Sequence, residues 1–289
     1  MRLAEIVRVL KPADVAVLRA IEKASENYRY VPFDALQRML DLSAVTLEKR
    51  LTFLHRLGLI RRWTGQYRGY ELKTIGFDAM ALYSLSRRGI IKALGPKLGV
   101  GKESDVYEAL SGEGERVAIK FLRAGTRSFK HVRRTRVYKI SRRGILRFKG
   151  AVIAAKREYE ALRLLHPAGV SVPEPIARSR HAIVMSVIEG DPLYVCDVLP
   201  DPKGLLEEVV RNVLVAYREA KVVHGELSEY NIIVTPSLHP LIIDWPQWIP
   251  SSHPVAKETL LKDLERVTAF FKRRFGINVS IEALAPDVV

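Results

Sequence analysis

The chain has 289 residues, 27% of them charged, a formal net charge of +15 and one cysteine, Cys196. A single thiol excludes an intramolecular disulfide and suits a reducing compartment; the sequence holds no apolar run of membrane-spanning length, and its start lacks a signal-peptide core. A cytoplasmic protein of two domains, without a membrane partner, is the expectation, since domains commonly take about 100–200 residues each.

Lys11-Pro12-Ala13-Asp14 opens a helix with Pro12 in its first turn and Val15, Leu18 and Ile21 on one stripe. Residues 33–40 give a short second helix. Ser43 caps a third, in which Leu47, Leu51, Leu54 and Leu57 face inward, and Gly58 stops it. Residues 59–63 and 70–73 then pattern as two strands around a loop bearing Gly65 and Gly69. Three helices and a β-hairpin make a winged helix-turn-helix domain, assigned to residues 1–90, with a helix over 74–94 leading onward. Lys49, Arg50 and Arg56 are placed on the outer face of the third helix, and Arg61, Arg62, Arg68 and Lys73 on the wing. Those basic faces favour nucleic acid over a purely protein-binding role.

Residues 91–289 form the second domain. Gly99-Val100-Gly101-Lys102-Glu103-Ser104-Asp105-Val106-Tyr107 fits a phosphate loop of the pattern G-x-G-x-x-(small)-x-V, in which small residues let the backbone approach a nucleotide. Gly99, Val100, Gly101, Lys102, Ser104 and Val106 are its nucleotide-contacting candidates. Thirteen residues after Tyr107, Val117-Ala118-Ile119-Lys120 is a strand ending in a Lys suited to the α- and β-phosphates. From Arg123 to Lys149 there are eleven Lys and Arg and no acidic residue, with Phe129, Tyr138 and Phe148 interleaved. Such a segment is expected as a flexible basic loop, and its field and aromatic rings suit nucleic acid. Residues 154–165 pattern as a helix that presents Glu158 as partner for Lys120. Residues 183–190 pattern as a buried strand running into a hinge, with Met185 guarding the pocket and the backbone of Ser186 and Ile188 meeting adenine. The small lobe is set at 91–185 and the large lobe at 189–289.

The most informative stretch is His224-Gly225-Glu226-Leu227-Ser228-Glu229-Tyr230-Asn231, followed by Leu241-Ile242-Ile243-Asp244. A carboxylate five residues before an Asn, and an Asp thirteen residues beyond it, is the arrangement of a kinase catalytic loop. Glu226 would orient or deprotonate the acceptor, while Asn231 and Asp244 would hold Mg²⁺ (or Mn²⁺) against ATP. Each motif alone is weak; four in order and at workable spacing are strong.

On these residues, with Arg157-Glu158-Tyr159 and Ile242-Ile243-Asp244-Trp245-Pro246-Gln247, the chain resembles the RIO family of atypical protein kinases, second subfamily, over essentially its whole length. The resemblance implies an α+β protein: a winged helix followed by a compact bilobal kinase domain without activation loop or peptide-binding lobe. The 45 residues after Asp244 leave no room for those parts. It further implies ATP and Mg²⁺ as cofactors, autophosphorylation on Ser, ATPase behaviour, and late maturation of the small ribosomal subunit on precursors containing pre-rRNA. A monomer is expected. The chain departs from the family in carrying Glu226 where Asp is usual. That departure motivates an alternative reading, a catalytically weak nucleotide-gated RNA-binding assembly factor. Aminoglycoside-type phosphotransferases share the H-G-(acid)-x₄-N and I-I-D-W signals, but need a helical acceptor-binding region that has no counterpart here.

Overall fold

The computed structural model describes residues 2–100, 104–123 and 143–286. The phosphate-loop candidates Gly101 and Lys102, and the basic stretch 124–142, lie outside the described residues. The chain divides into two compact units, residues 1–153 with 178–182, and residues 154–177 with 183–289.

The first unit begins with α1 (Leu3–Val9), α2 (Pro12–Ala24), β1 (Val31–Pro32), α3 (Phe33–Leu40), α4 (Ala44–Arg56), β2 (Ile60–Thr64), β3 (Arg68–Leu72) and α5 (Thr74–Arg87). Its helices surround buried Val15, Leu18, Ile21, Leu36, Leu47, Leu51 and Leu54, the stripes expected from the sequence. Pro12 stands at the first turn of α2, and the Ser43 side chain accepts a hydrogen bond from the Thr46 amide at the start of α4. The small sheet runs β1-β3-β2, so the hairpin is a wing with an added strand at Val31–Pro32 that the sequence reading lacked.

Two expectations are corrected here. The helix expected over 74–94 ends at Arg87, because Gly89 takes a left-handed φ of 71° and closes it; residues 91–94 are already strand. Arg50 does not face outward: its guanidinium donates to Asp14 at 2.8 Å, a carboxylate that is 3% exposed and could not stay buried unpaired.

The same unit continues into β4 (Ile91–Val100), β5 (Ser104–Ser111) and β6 (Arg116–Leu122), three antiparallel strands. The turn between β7 (Pro175–Ser179) and β8 (Ala182–Ser186) also belongs to it, and the Leu122 amide donates to the His181 carbonyl. The loop expected over 123–149 is corrected at its carboxyl end, where residues from Arg143 onward are helical. Helix α6 begins at Arg143 and runs to Leu165. Phe148, expected to stack on bases, instead stacks on Phe77 with ring centroids 3.7 Å apart and meets His181 edge-on at 5.0 Å. Lys149 pairs with Glu26 at 2.8 Å, and Arg180 pairs with Glu22. Arg123 is likewise committed, to Asp78 through both Nη atoms at 2.7 and 2.9 Å and to Asp105 at 2.9 Å. Aromatic area and charge therefore fasten α2 and α5 to the start of α6, and the Arg123 and Arg180 pairs fasten them to the ends of the strands.

The second unit holds the rest of α6, β9 (Asp191–Pro192), α7 (Pro202–Arg218), β10 (Val222–Val223), β11 (Ile232–Val234), β12 (Pro240–Ile242), β13 (Ile249–Pro250), α8 (Ala256–Phe275) and α9 (Ile281–Leu284). Its core packs Leu206, Val209 and Val213 of α7 with Leu260, Leu264, Val267 and Phe271 of α8, each pattern repeating every three or four residues. The short hairpin β11–β12 pairs Ile232 with Ile242 and Val234 with Pro240, and β9 lies on the other side of β11. Among the described residues, no helix is long and apolar enough to cross a membrane.

Candidate active site

The loop from His224 to Asn231 is set by backbone bonds that end on one buried carboxylate. Gly225 needs its missing Cβ, because it adopts a φ of +89° and an added carbon would sit 3.0 Å from the Gln247 carbonyl. Asp263, fully buried on α8, accepts from the Gly225 amide at 2.7 Å and from the Leu227 amide at 3.0 Å. These bonds grip both sides of Glu226 and leave its side chain exposed. His224, buried and packed on Trp245 at 4.5 Å, bonds through Nε2 to the Ile243 carbonyl at 3.0 Å. The Asn231 side-chain amide donates to the Glu226 carbonyl at 3.1 Å, closing the loop on itself.

Asp244 is delivered by the same hairpin. The Ile243 amide donates to the Asn231 carbonyl at 2.9 Å, so the residue after Ile243 leaves the sheet beside Asn231. Asp244 takes a φ of 63°, a left-handed conformation uncommon for a side-chain-bearing residue and found preferentially at functional positions. The structure thus brings Glu226, Asn231 and Asp244 to one end of one hairpin. Two of them, Asn231 and Asp244, carry the oxygen ligands that a hard cation such as Mg²⁺ takes.

Glu158 is 2% exposed. It falls on the buried stripe of α6 with Ala151, Ala155, Leu162 and Leu165, which excludes a solvated surface role. Lys120 is 7% exposed in β6, opposite Val106 in the register with β5. Ser104 opens β5, and Gly99 pairs with Val106 across the β4–β5 turn. A charge buried to this degree must be paired or neutralised. Met185 is buried in β8 at 4% exposure. The Ser186 amide is already bonded to the Glu174 carbonyl at 3.0 Å, which leaves its carbonyl as the group with which it can meet a base; Ile188 follows half-buried.

The sequence reading missed Asp263, Asp78 and His181. Burial pushes the Asp263 carboxyl up to about 6, against the opposing effect of the Gly225 and Leu227 amides and of Arg266. His181 is 1% exposed and bonds Asp78 at 2.8 Å; burial lowers its pKa, more than Asp78 raises it. For Arg123, burial opposes the charge, but Asp78 and Asp105 outweigh it and raise its pKa. An Asp inside an apolar helix, or a His in the turn before an apolar strand, was the available signal, and each looks like an ordinary surface residue until its neighbours are known.

A winged helix joined to a domain with a kinase-type H-G-(acid)-x₄-N loop, a buried Lys strand and a hairpin that ends in Asn231 and Asp244 defines a class: protein-kinase-like phosphotransferases with an amino-terminal winged helix. The comparisons with known proteins narrow it. A RIO domain profile matches residues 105–284, and a profile for the Rio2 amino-terminal domain matches residues 7–88. The chain belongs to the RIO family of serine/threonine protein kinases, with the two-domain make-up of its Rio2 branch. It is 36% identical over 252 residues to the RIO-type serine/threonine-protein kinase Rio2 of Methanocaldococcus jannaschii, covering 86% of this chain and 92% of that one. It is 32% identical over 271 residues to the serine/threonine-protein kinase rio2 of Schizosaccharomyces pombe, covering 93% and 78%. The crystal structure of the Rio2 kinase–ADP/Mg²⁺–phosphoaspartate complex from Chaetomium thermophilum superposes with a TM-score of 0.81 at 31% identity, over 96% of this chain and 85% of that one.

Proposed function

We propose that this chain binds ATP and transfers its γ-phosphoryl group first to its own Asp244, acting as a slow ATPase and serine kinase. The observation that carries the reading is the left-handed Asp244 held beside Asn231 at the end of the hairpin. The phosphoaspartate captured in the Chaetomium Rio2 complex supports it. Gly99 to Ser104 would cradle the phosphates, Lys120 would neutralise them with Glu158 as its buried partner, and Met185, Ser186 and Ile188 would line the adenine. Mg²⁺, when bound by Asn231 and Asp244, would draw charge off the phosphate oxygens. An Asp244 carboxylate oxygen forms a bond to the γ-phosphorus as the bond to the β,γ-bridging oxygen breaks. ADP leaves with that electron pair, and the acyl phosphate carries the two charges of the transferred group. Water then cleaves the acyl phosphate, releasing phosphate and a proton and restoring the carboxylate. Glu226, exposed on its gripped loop, would orient the water or a serine hydroxyl.

The setting we propose is the small ribosomal subunit precursor, with its pre-rRNA met by the winged helix and by the basic stretch of the sequence, in the cytoplasm and as a monomer. Lys49, Arg56, Arg61, Arg62 and Lys73 are exposed on the winged helix and support this. Arg68 contributes less, being paired to Glu48 at 2.6 Å, and Arg61 shares its charge with Glu71. A single-turnover assay with γ-labelled ATP tests the chemistry. Label on the protein that hydroxylamine removes, and that Asp244→Asn abolishes, is expected. Label stable to hydroxylamine but lost in alkali would place it on Ser and overturn the aspartyl step.

A further inference from the structure

Arg157 precedes Glu158 on α6, and none of the catalytic steps above uses it. Its guanidinium is spent on backbone. Nε donates to the Pro246 carbonyl at 2.8 Å and Nη2 donates to the Trp248 carbonyl. Trp248 reciprocates: its indole Nε1 donates to the Arg157 carbonyl at 2.9 Å, and its ring lies under the guanidinium at 5.3 Å from the centroid. A planar fork holds two carbonyls in one fixed geometry where a rotatable ammonium holds them loosely, and the indole bond locks the fork in one pose.

The strapped segment is not arbitrary. Pro246 and Trp248 lie two and four residues past Asp244, and the Gln247 carbonyl between them is the surface against which Gly225 of the catalytic loop packs without room for a Cβ. On the other side of Asp244, the Ile243 carbonyl takes the His224 bond. We propose that Arg157 is a positioning residue: with Trp248 it clamps the helix bearing Glu158 to the segment that follows Asp244, fixing that carboxylate relative to the catalytic loop. A misplacement of roughly 1 Å at a reacting group can cost about a hundredfold in rate, so a strap of this kind acts on the chemical step and on the cation, not on adenine binding. The inference rests on Asp244 and Glu158 serving the nucleotide as proposed above.

The test compares wild type, Arg157→Lys, Arg157→Ala and Trp248→Phe in single-turnover transfer from γ-labelled ATP across a Mg²⁺ titration, with ATP affinity measured separately by calorimetry. Trp248→Phe keeps an aromatic ring under the guanidinium and removes only the indole donor, so it remains informative should Arg157→Ala fail to fold. The expected result is a rate lowered roughly ten- to a hundredfold in Arg157→Ala. Its half-saturating Mg²⁺ is raised and its ATP affinity moves far less. Trp248→Phe shifts in the same direction, and Arg157→Lys falls between Ala and wild type. Folded variants that match wild type in rate and Mg²⁺ dependence would overturn the clamp while leaving the Asp244 chemistry standing. Wild type that binds no ATP would overturn both.

Discussion

Asp263 is where stability and catalysis should part company. Its carboxylate is fully buried, and a carboxyl pushed up to about 6 carries an ionisation penalty of about 3 kcal/mol at neutral pH. What that charge holds is the catalytic loop, through the two amides flanking Glu226. Asp263→Asn keeps the shape but offers one acceptor oxygen where there were two, and turns an NH₂ group toward the other amide. Leaving that buried N–H unmet costs about 1–3 kcal/mol, a loss offset by removal of the charge penalty, so the net change in stability near pH 7.5 should be small. The loop, however, loses one of its two tethers, and displacement of Glu226 by roughly 1 Å should slow transfer about a hundredfold. Urea denaturation and single-turnover kinetics on the same preparation read the two quantities. The sign with pH follows from the raised value. Between about 4, the unfolded value, and about 6, the folded chain holds a proton that the unfolded chain has lost. The contribution of this group to stability therefore declines as pH rises through that window and is constant above it. The transfer rate should run the other way, falling in wild type as pH drops below about 6 and showing no such step in Asp263→Asn. An Asp263→Asn variant that transfers phosphoryl at the wild-type rate would refute the tether.

Glu226→Asp should accelerate hydrolysis or label transfer at saturating ATP, because the longer side chain carries its carboxylate roughly 1 Å out of place; wild-type turnover equal to or above that of the Asp variant, with Glu226→Ala inactive, would remove that view. Gly225→Ala should destabilise the second unit by about 1–2 kcal/mol, because a Cβ is disfavoured at a left-handed φ and meets the Gln247 carbonyl; denaturation midpoints measure it. RNA affinity should fall by orders of magnitude between about 50 and 200 mM salt, and Ala at Arg133, Arg134 and Arg136 should flatten that slope in filter-binding titrations.

The geometry of the loop 224–231, the hairpin that carries Asn231 and Asp244, and the apolar stripes of the winged helix were legible in the sequence because each is local. Glu226 to Asn231 is one loop, Asn231 to Asp244 one hairpin, and Leu47, Leu51 and Leu54 one helix face. What was illegible is what closes over distance. The run 123–149 looked like a uniform basic loop. Yet Arg123 is neutralised by Asp78, 45 residues upstream, Lys149 pairs with Glu26, and Phe148 packs on Phe77. Arg50 looked outward by helical spacing until Asp14 claimed it. Asp263 lies 37 residues past Glu226, on a helix whose pattern requires only apolar neighbours, and no periodicity marks a carboxylate that caps two amides of another element.

Calorimetry with Mg²⁺ and ATP on wild type, Lys120→Ala and Asp244→Ala tests the nucleotide site most directly. The account predicts saturable one-site binding by wild type that needs Mg²⁺ for full affinity and is clearly weakened by either substitution; no binding by folded wild-type protein, or binding untouched by both substitutions, would contradict it.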